Sequence, residues 1–344
     1  MTKAKLLIIR FSSIGDIVLT TPIVRCLKQQ LNASLHYLVK KEYMELVAHN
    51  PYLDYVHSFD KSEENLYALS KKLKKEQFNL VIDLQYNLRS RMLTRMLGLK
   101  SIRFNKLNKE KFLLTRFKIN RLPQKHLIDR YFEAMHQLKI KNDGLGLDLH
   151  IPVMKHMNLQ LFDRRLRPGY FNVIVAGAMH QTKNIPTDKL IELCQALPDQ
   201  LFVILGGSKE KEKGESIANH CKNTVDLCGK LSLLESASVI DQCRQVISPD
   251  TGMMHIAAAL NRPIISVWGN TVPQFGMFPY YKKEQNKSYQ IVENLRLNCR
   301  PCSKLGHAHC PRGHFYCMNQ LNTTDIIQKM KPSSTMISEK TTMH

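Results

Sequence analysis

The sequence predicts an α/β protein made of two Rossmann-like parallel-sheet domains that face each other across a cleft. Three observations lead there. Short apolar runs alternate with helical runs along most of the chain, the pattern of parallel strands joined by crossover helices. That alternation breaks once, between residues 150 and 169, where the extended stretch DLHIPVM gives way to the charged Pro-Gly turn DRRLRPGY. Finally, 344 residues at 43% hydrophobic content suffice for two cores. The expected division is an N-terminal Rossmann-like domain over 1–165, a C-terminal Rossmann-like domain over 166–325 and a polar tail over 326–344.

In the first half, KLLIIR reads as a buried strand and IVLTTPIVRCLKQQ as the helix after it. LHYLVK and EYMELVAHN repeat the pair, as do YVHSF and EENLYALSKKLKKE. FNLVIDL is a fourth strand, followed by a helix over 89–97. Residues 102–120 read as irregular, basic and interleaved with Phe104, Phe112 and Phe117, before a helix resumes over 126–138. The second half starts the alternation again. FNVIVAG, LFVILGG, TVDLCG, QVISPD and PIISVWG are strands. Between them, TDKLIELCQAL, KEKEKGESIANHC, LLESASVIDQC and MMHIAAAL are helices.

No apolar run reaches the roughly 18 residues that span a bilayer. The chain enters its first strand with no cleavable-signal pattern, so a soluble cytoplasmic protein is expected. Nine cysteines in this length do not make a disulfide scaffold. The net charge of +21 implies a polyanionic partner. About half of it lies between Tyr86 and Arg130, where 13 Lys and Arg face two acids, Glu110 and Asp129. A nucleic-acid binder would account for the charge, but no helix-turn-helix or RNA-reading motif is present.

Ligands of open α/β sheets bind at the carboxyl ends of the strands, so chemistry-bearing residues should follow strands. Four groups do. Ser12, Ser13, Gly15 and Asp16 form the turn from the first strand into a helix. Gly15 permits a tight path there, and Asp16 at a positive helix end stays ionised, as a base must. Capping alone would also explain this turn. Lys183, in AGAMHQTKNIP, sits where a loop lysine can reach a phosphate across the cleft. Gly206 and Gly207 let a ligand approach the backbone, and Glu210 or Glu212 could accept from a ribose diol. In SPDTGMMHIAAALNRPIISVWG, Thr251 and the N–H groups of residues 251 to 253 make an anion seat. Asp250 can accept from sugar hydroxyls, while Met253, Met254 and His255 either line a base pocket or pack. No GxGxxG follows a strand, which argues against a nicotinamide cofactor.

The cysteine-rich stretch CRPCSKLGHAHCPRGHFYC holds Cys299, Cys302, Cys310 and Cys317. Zinc could be held by the four cysteines, or by three of them with His307, His309 or His314. The spacing between the second and third cysteines is shorter than in a paired zinc ribbon, so structural thiols are the preferred reading.

With these groups in order, the chain resembles glycosyltransferase family nine, the ADP-heptose:lipopolysaccharide heptosyltransferases. IIRFSSIGDIVLTTP, VIDLQYNLRS, TKNIP and SPDTGMMHIAAALNRPIISVWG look like family blocks, and the likeness runs from residue 4 to about 320. The resemblance implies a GT-B fold and metal-independent, inverting transfer of heptose from an ADP-sugar to the inner core of lipopolysaccharide. It places the general base on Asp16 and the phosphate-contacting lysine on Lys183. It places the donor contacts on Asp250, Thr251 and Gly252 and the ribose contact on Glu210 or Glu212; Ser13, Gly15, Met253 and His255 are expected beside the donor. One departure is visible: Ala178, Met179 and His180 stand where relatives often carry hydroxyls. Ser12, Arg89, Arg91, Lys109, Lys111 and His126 would meet an acidic, phosphorylated glycolipid acceptor at the inner face of the inner membrane. No cofactor and no nucleic acid is called for, and a monomer is expected. The alternatives are a transferase of the same fold with another nucleotide sugar or a non-lipid acceptor, and a non-catalytic lipid-binding relative.

Overall fold

The computed structural model describes residues 3–283 and 289–330. Both of its sheets are parallel throughout. The first contains β1 (Ala4–Ile9), β2 (Ala33–Lys40), β3 (Tyr55–Phe59), β4 (Leu80–Asp83) and β5 (Ser101–Arg103), in the order β3-β2-β1-β4-β5. Its helices are α1 (Ile14–Val18), α2 (Thr21–Gln30), α3 (Glu45–Ala48), α4 (Leu66–Lys74), α5 (Leu88–Leu97), α6 (Asn108–Phe117) and α7 (Leu127–Ala134). The second sheet contains β6 (Phe171–Val175), β7 (Leu201–Leu205), β8 (Thr224–Asp226), β9 (Gln245–Pro249), β10 (Ile264–Trp268) and β11 (Tyr289–Glu293), in the order β11-β10-β9-β6-β7-β8. Around it lie α8 (Thr187–Gln195), α9 (Lys211–His220), α10 (Leu233–Gln242), α11 (Gly252–Ala259), α12 (Tyr316–Asn319) and α13 (Thr323–Lys329).

Strand β1 shows why its sequence is apolar without alternation. Leu7 and Ile9 pack with Phe59, Leu69, Leu73 and Leu93 on one face, while Ile8 packs with Ile17, Ile23 and Val24 on the other. Helices cover both faces, so neither can be polar.

Each strand order reverses once. In the first sheet the chain runs outward from β1 through β2 to β3, then resumes on the other side of β1 at β4. In the second it runs from β6 through β7 to β8, then resumes beside β6 at β9. A crevice opens at such a reversal because neighbouring connections leave in opposite directions. The turns after β1 and β4, and those after β6 and β9, therefore supply the natural ligand sites.

Four readings need correction. The run IVLTTPIVRCLKQQ is two helices, not one. Thr20 turns its hydroxyl back to the Ile17 carbonyl at 2.7 Å, and Pro22 in the first turn starts α2 afresh. Residues 102–120 are not irregular but carry the end of β5 and all of α6. Leu114, the buried residue of α6, packs with Leu122 against Val272 and Phe275 of the other domain, a long-range contact that local periodicity does not reveal. Strand β11 was not anticipated; it is a short edge strand beside β10. Residues 326–330 are not tail: Ile326 and Met330 are buried with Cys317 and Met318 in the second domain's core. The rest of the expected tail lies outside the described residues. No described helix is long and apolar enough to cross a membrane.

Candidate active site

A cleft of about 560 Å³ runs between the two sheets, lined by the turns after β1, β4, β6 and β9, by α6 and by the cysteine-rich segment. Its first wall is the opening turn. Ser12, Ser13, Gly15 and Asp16 all line it. The Asp16 carboxylate receives the Arg10 guanidinium at 2.6 Å, the Ser13 hydroxyl at 2.9 Å and the Ser13 amide at 3.3 Å. Burial alone would raise the Asp16 carboxyl, but Arg10 and the Ser13 bonds outweigh it and hold the group below the usual carboxylate range. Arg10 is buried and aimed by the Leu84 carbonyl and the Tyr131 hydroxyl. The turn thus caps α1 and also presents an oriented carboxylate.

The opposite wall comes from the second domain. Lys183 reaches Asp250 at 2.7 Å, and the Thr271 hydroxyl donates to the same carboxylate oxygen at 2.8 Å. Sequence reasoning gave Lys183 and Asp250 separate ligand contacts; here they hold each other. Thr251, in extended backbone, holds the N-cap position of α11 without a side-chain cap bond; the Met254 amide donates to the Thr251 carbonyl at 3.2 Å, and the Gly252 and Met253 amides before it have no intrahelical acceptor. His255 closes the floor between the walls. Burial drives its pKa down to about 4 although Asp250 and Asp16 both favour the cation, so the ring is neutral near pH 7. Its Nδ1 has no hydrogen-bond partner among the described residues.

The walls meet through glycine. A Cβ on Gly15 would lie 2.5 Å from His255 Cδ2 and 3.2 Å from Gly252 Cα. Helices α1 and α11 pack here, which sets the spacing between Asp16 and the α11 amides.

Glu210 does not line this cleft; it lies beside the ends of β6 and β7. Glu210 accepts from the Gly207 amide at 2.9 Å and lies against Gly177 and Gly206, where any Cβ would collide with its side chain. Glu212 is exposed on the start of α9. Between the two candidates, only Glu210 packs against the glycines that follow β6 and β7. Met253 does not line the cleft but packs on the core.

The basic segment divides. Lys111 lines the cleft together with Lys106 and with Lys304 of the cysteine-rich segment. Burial, helped by Arg130, pushes the Lys111 pKa down to about 8, and burial lowers Lys106 as well. Arg91 and Lys109 are exposed and lie outside the cleft. Arg89 sits 5.9 Å from the Phe11 and Phe59 rings, in a separate cavity of about 770 Å³ beyond β3. His126 does not face an acceptor. It caps α7, bonds the Phe278 carbonyl at 2.9 Å, and is driven to a pKa of about 3 by burial.

Arg10, Lys106, Thr271 and Lys304 escaped sequence reasoning. Arg10 alone left a signal, as the charged end of the otherwise apolar run KLLIIR. The cysteines carry free thiols, and Cys299 Sγ stands 3.9 Å from His314 Nε2. Burial raises Cys302 and pushes Cys317 up to about 12. Among the described residues, no three His, Cys, Asp or Glu side chains gather as a metal site. The His307 amide is instead bonded to the Thr182 hydroxyl at 2.8 Å, which ties this segment to the Lys183 loop.

The profile of glycosyltransferase family 9 (heptosyltransferase) matches residues 66–309. Lipopolysaccharide heptosyltransferase 1 of Campylobacter coli is 22% identical over 294 residues, spanning 78% of this chain and 84% of that protein. Among solved structures, the family 9 glycosyl transferase from Veillonella parvula DSM 2008 superimposes with a TM-score of 0.72 at 18% identity, covering 85% of this chain and 86% of that one. The E. coli heptosyltransferase WaaC with ADP gives 0.67 at 22% identity, covering 94% and 98%. The two-domain arrangement is the GT-B fold of these enzymes.

Proposed function

The chain belongs to glycosyltransferase family 9, and from that premise we propose that it transfers heptose, with inversion, from ADP-heptose to the acidic inner core of lipopolysaccharide. One observation carries the reading. An oriented carboxylate stands on one wall of a single cleft, and a lysine with a helix N-terminus stands on the other.

Inverting transfer needs a base on the face opposite the leaving diphosphate. Asp16 supplies it. Its low pKa suits a reaction in which the acceptor oxygen becomes strongly acidic only as it bonds the oxocarbenium-like carbon. The carboxylate then takes the proton late, while Arg10 and Ser13 hold it in place. On the donor side, Lys183 exchanges Asp250 for the diphosphate, and the Thr251–Gly252 amides receive its oxygens. These groups meet the departing charge without calling on a metal ion. Asp250, once released, is free to accept from the sugar hydroxyls, and Glu210, beside Gly177 and Gly206, takes the ribose diol. Lys106, Lys111 and Lys304 form the acceptor side, because both carboxylates lining the cleft are already paired with Arg10 and Lys183. Three cations left around a half-buried space favour an anionic sugar or phosphate.

The test is nucleoside diphosphate release from ADP-, GDP- and UDP-sugars, with and without a deacylated inner-core acceptor. Acceptor-dependent release of ADP with an inverted anomer in the product supports the reading. Turnover only with UDP- or GDP-sugars would replace the donor, and no release from any donor would remove the transferase assignment.

A further inference from the structure

Helix α6 has two faces of different character. On one, Lys111 and Asn108 line the cleft and Leu114 is buried against the second domain. On the other, Phe112 and Phe117 are 58% and 57% exposed, their rings edge to face at 5.9 Å, and Ile119 just beyond the helix is 46% exposed. Lys109 and Arg116 of the same helix and Arg121 shortly beyond it are exposed too, and Glu110 is the one acid of the helix. The patch is held firmly. The Lys118 ammonium, at the C-terminal end of α6, donates to the carbonyls of Thr115, Cys299 and Pro301 at 2.9, 3.0 and 2.7 Å, pinning it to the second domain.

Clustered aromatic side chains facing water mark a contact surface. A short helix with aromatics on its outer face and cations around them has the chemistry of an element lying in a lipid headgroup layer. We propose that the outer face of α6, continued to Arg121, docks on an anionic bilayer. Phe112, Phe117 and Ile119 enter the headgroup layer, and Lys109, Arg116 and Arg121 meet lipid phosphates. This inference rests on the reading of a glycolipid acceptor and gives it a geometry. The helix that touches the membrane carries Lys111 into the cleft on its other side, so a lipid-borne sugar rises along α6 toward Asp16. The charge selects the occupant: a lipid surface rich in phosphate complements a patch whose rim is almost wholly cationic.

The experiment is co-sedimentation of the full chain with vesicles of phosphatidylglycerol and phosphatidylethanolamine, against vesicles of phosphatidylcholine. Wild type is expected to pellet with the anionic vesicles and to be released by salt. Phe112→Ser with Phe117→Ser and Ile119→Ser should lower the bound fraction at least ~10-fold, the loss expected when large buried apolar groups are removed. The same variant should turn over a deacylated acceptor at the wild-type rate. Lys109→Gln with Arg116→Gln and Arg121→Gln should abolish the preference for anionic lipid. In a Phe117→Trp protein, whose other tryptophan is the buried Trp268, the fluorescence should shift to the blue on adding anionic vesicles. Equal binding by wild type and the apolar triple variant overturns the proposal. So does concentration-dependent self-association that the triple variant abolishes, which would assign the face to a second copy. If the transferase reading fails instead, wild type releases no nucleotide with any acceptor, and the vesicle measurements remain interpretable by themselves.

Discussion

Gly15 and Gly252 meet across the domain boundary, their backbones so close that neither helix has room for a side chain there. A Cβ on Gly252 would lie 2.6 Å from Ile14 Cβ and 3.0 Å from the Gly15 amide nitrogen. These helices carry Asp16 on one side and the Thr251 turn on the other, so the spacing between base and anion seat is set by two missing side chains.

Gly252→Ala tests that spacing. Backbone on the far side cannot swing away as a flexible side chain would, so the walls must part by some tenths of an ångström. Transfer kcat/KM is expected to fall by up to roughly 10²-fold, the cost of a full ångström's misplacement in a reacting pair. Thermal unfolding should show a folded protein. Unchanged kinetics would mean that the walls need not touch for reaction.

Asp16→Ala should lower kcat by at least ~10²-fold while ADP affinity changes little, since general base catalysis is worth about that much. A folded variant with near-normal turnover would leave Asp16 only its capping role.

Arg10→Met makes a separate claim about pH. Asp16 is ionised above its pKa, so the acid limb of kcat/KM marks where the base is lost. In wild type that limb should lie below the ordinary carboxylate value of about 3.9. Removing Arg10 takes away the leading effect that lowers the carboxyl and leaves burial, which raises it. The acid limb should therefore move up toward neutrality. A pH–rate profile unchanged by Arg10→Met would show that Asp16 does not set that limb.

Lys183 and Asp250 can be separated by what each variant does to ADP, which has no sugar. Lys183→Ala should weaken ADP binding and lower kcat, as expected of a group that meets the diphosphate. Asp250→Asn should bind ADP a few-fold more tightly, because it frees the lysine and removes a negative charge from beside the diphosphate. With the full donor it should still turn over slowly, having lost its sugar contact. Weaker ADP binding in Asp250→Asn, measured calorimetrically, would reject the exchange of partners.

The sequence disclosed the layers and the strand ends because buried parallel strands leave uninterrupted apolar runs, as in Leu7–Ile9 and Phe171–Val175. Asp16, Lys183, Asp250 and Thr251 were legible because each lies in a short polar insert directly after such a run. Residues whose role depends on long-range approach were not. Lys304 enters the cleft from a segment almost 200 residues beyond Asn108, its partner at 3.4 Å. Leu114 finds its apolar neighbours at Val272 and Phe275, so α6 lacked the local signal of a helix packed on its own sheet. His126 misled for the opposite reason. Its position in a basic run resembled a ligand contact, and only the Phe278 carbonyl shows it to be a buried cap.

Lys111 supplies the last prediction. Its pKa is pushed down to about 8, first by burial and then by Arg130, with Asp16 opposing. A lysine carries charge below its pKa, so the free enzyme loses this cation as pH rises through about 8. An anionic acceptor should then bind more weakly, while ADP binding stays level because the donor seat lies on the other wall. Acceptor kcat/KM is therefore expected to fall about tenfold per pH unit above that point if this one charge governs binding. Lys111→Arg should remove the alkaline limb, because a guanidinium stays charged throughout the range. Lys111→Met should depress acceptor kcat/KM below about pH 8, where the wild-type lysine is charged, and abolish the same limb. A limb that persists in both variants would place the titrating group elsewhere in the cleft, and unchanged acceptor kinetics in Lys111→Met would remove this lysine from the acceptor site.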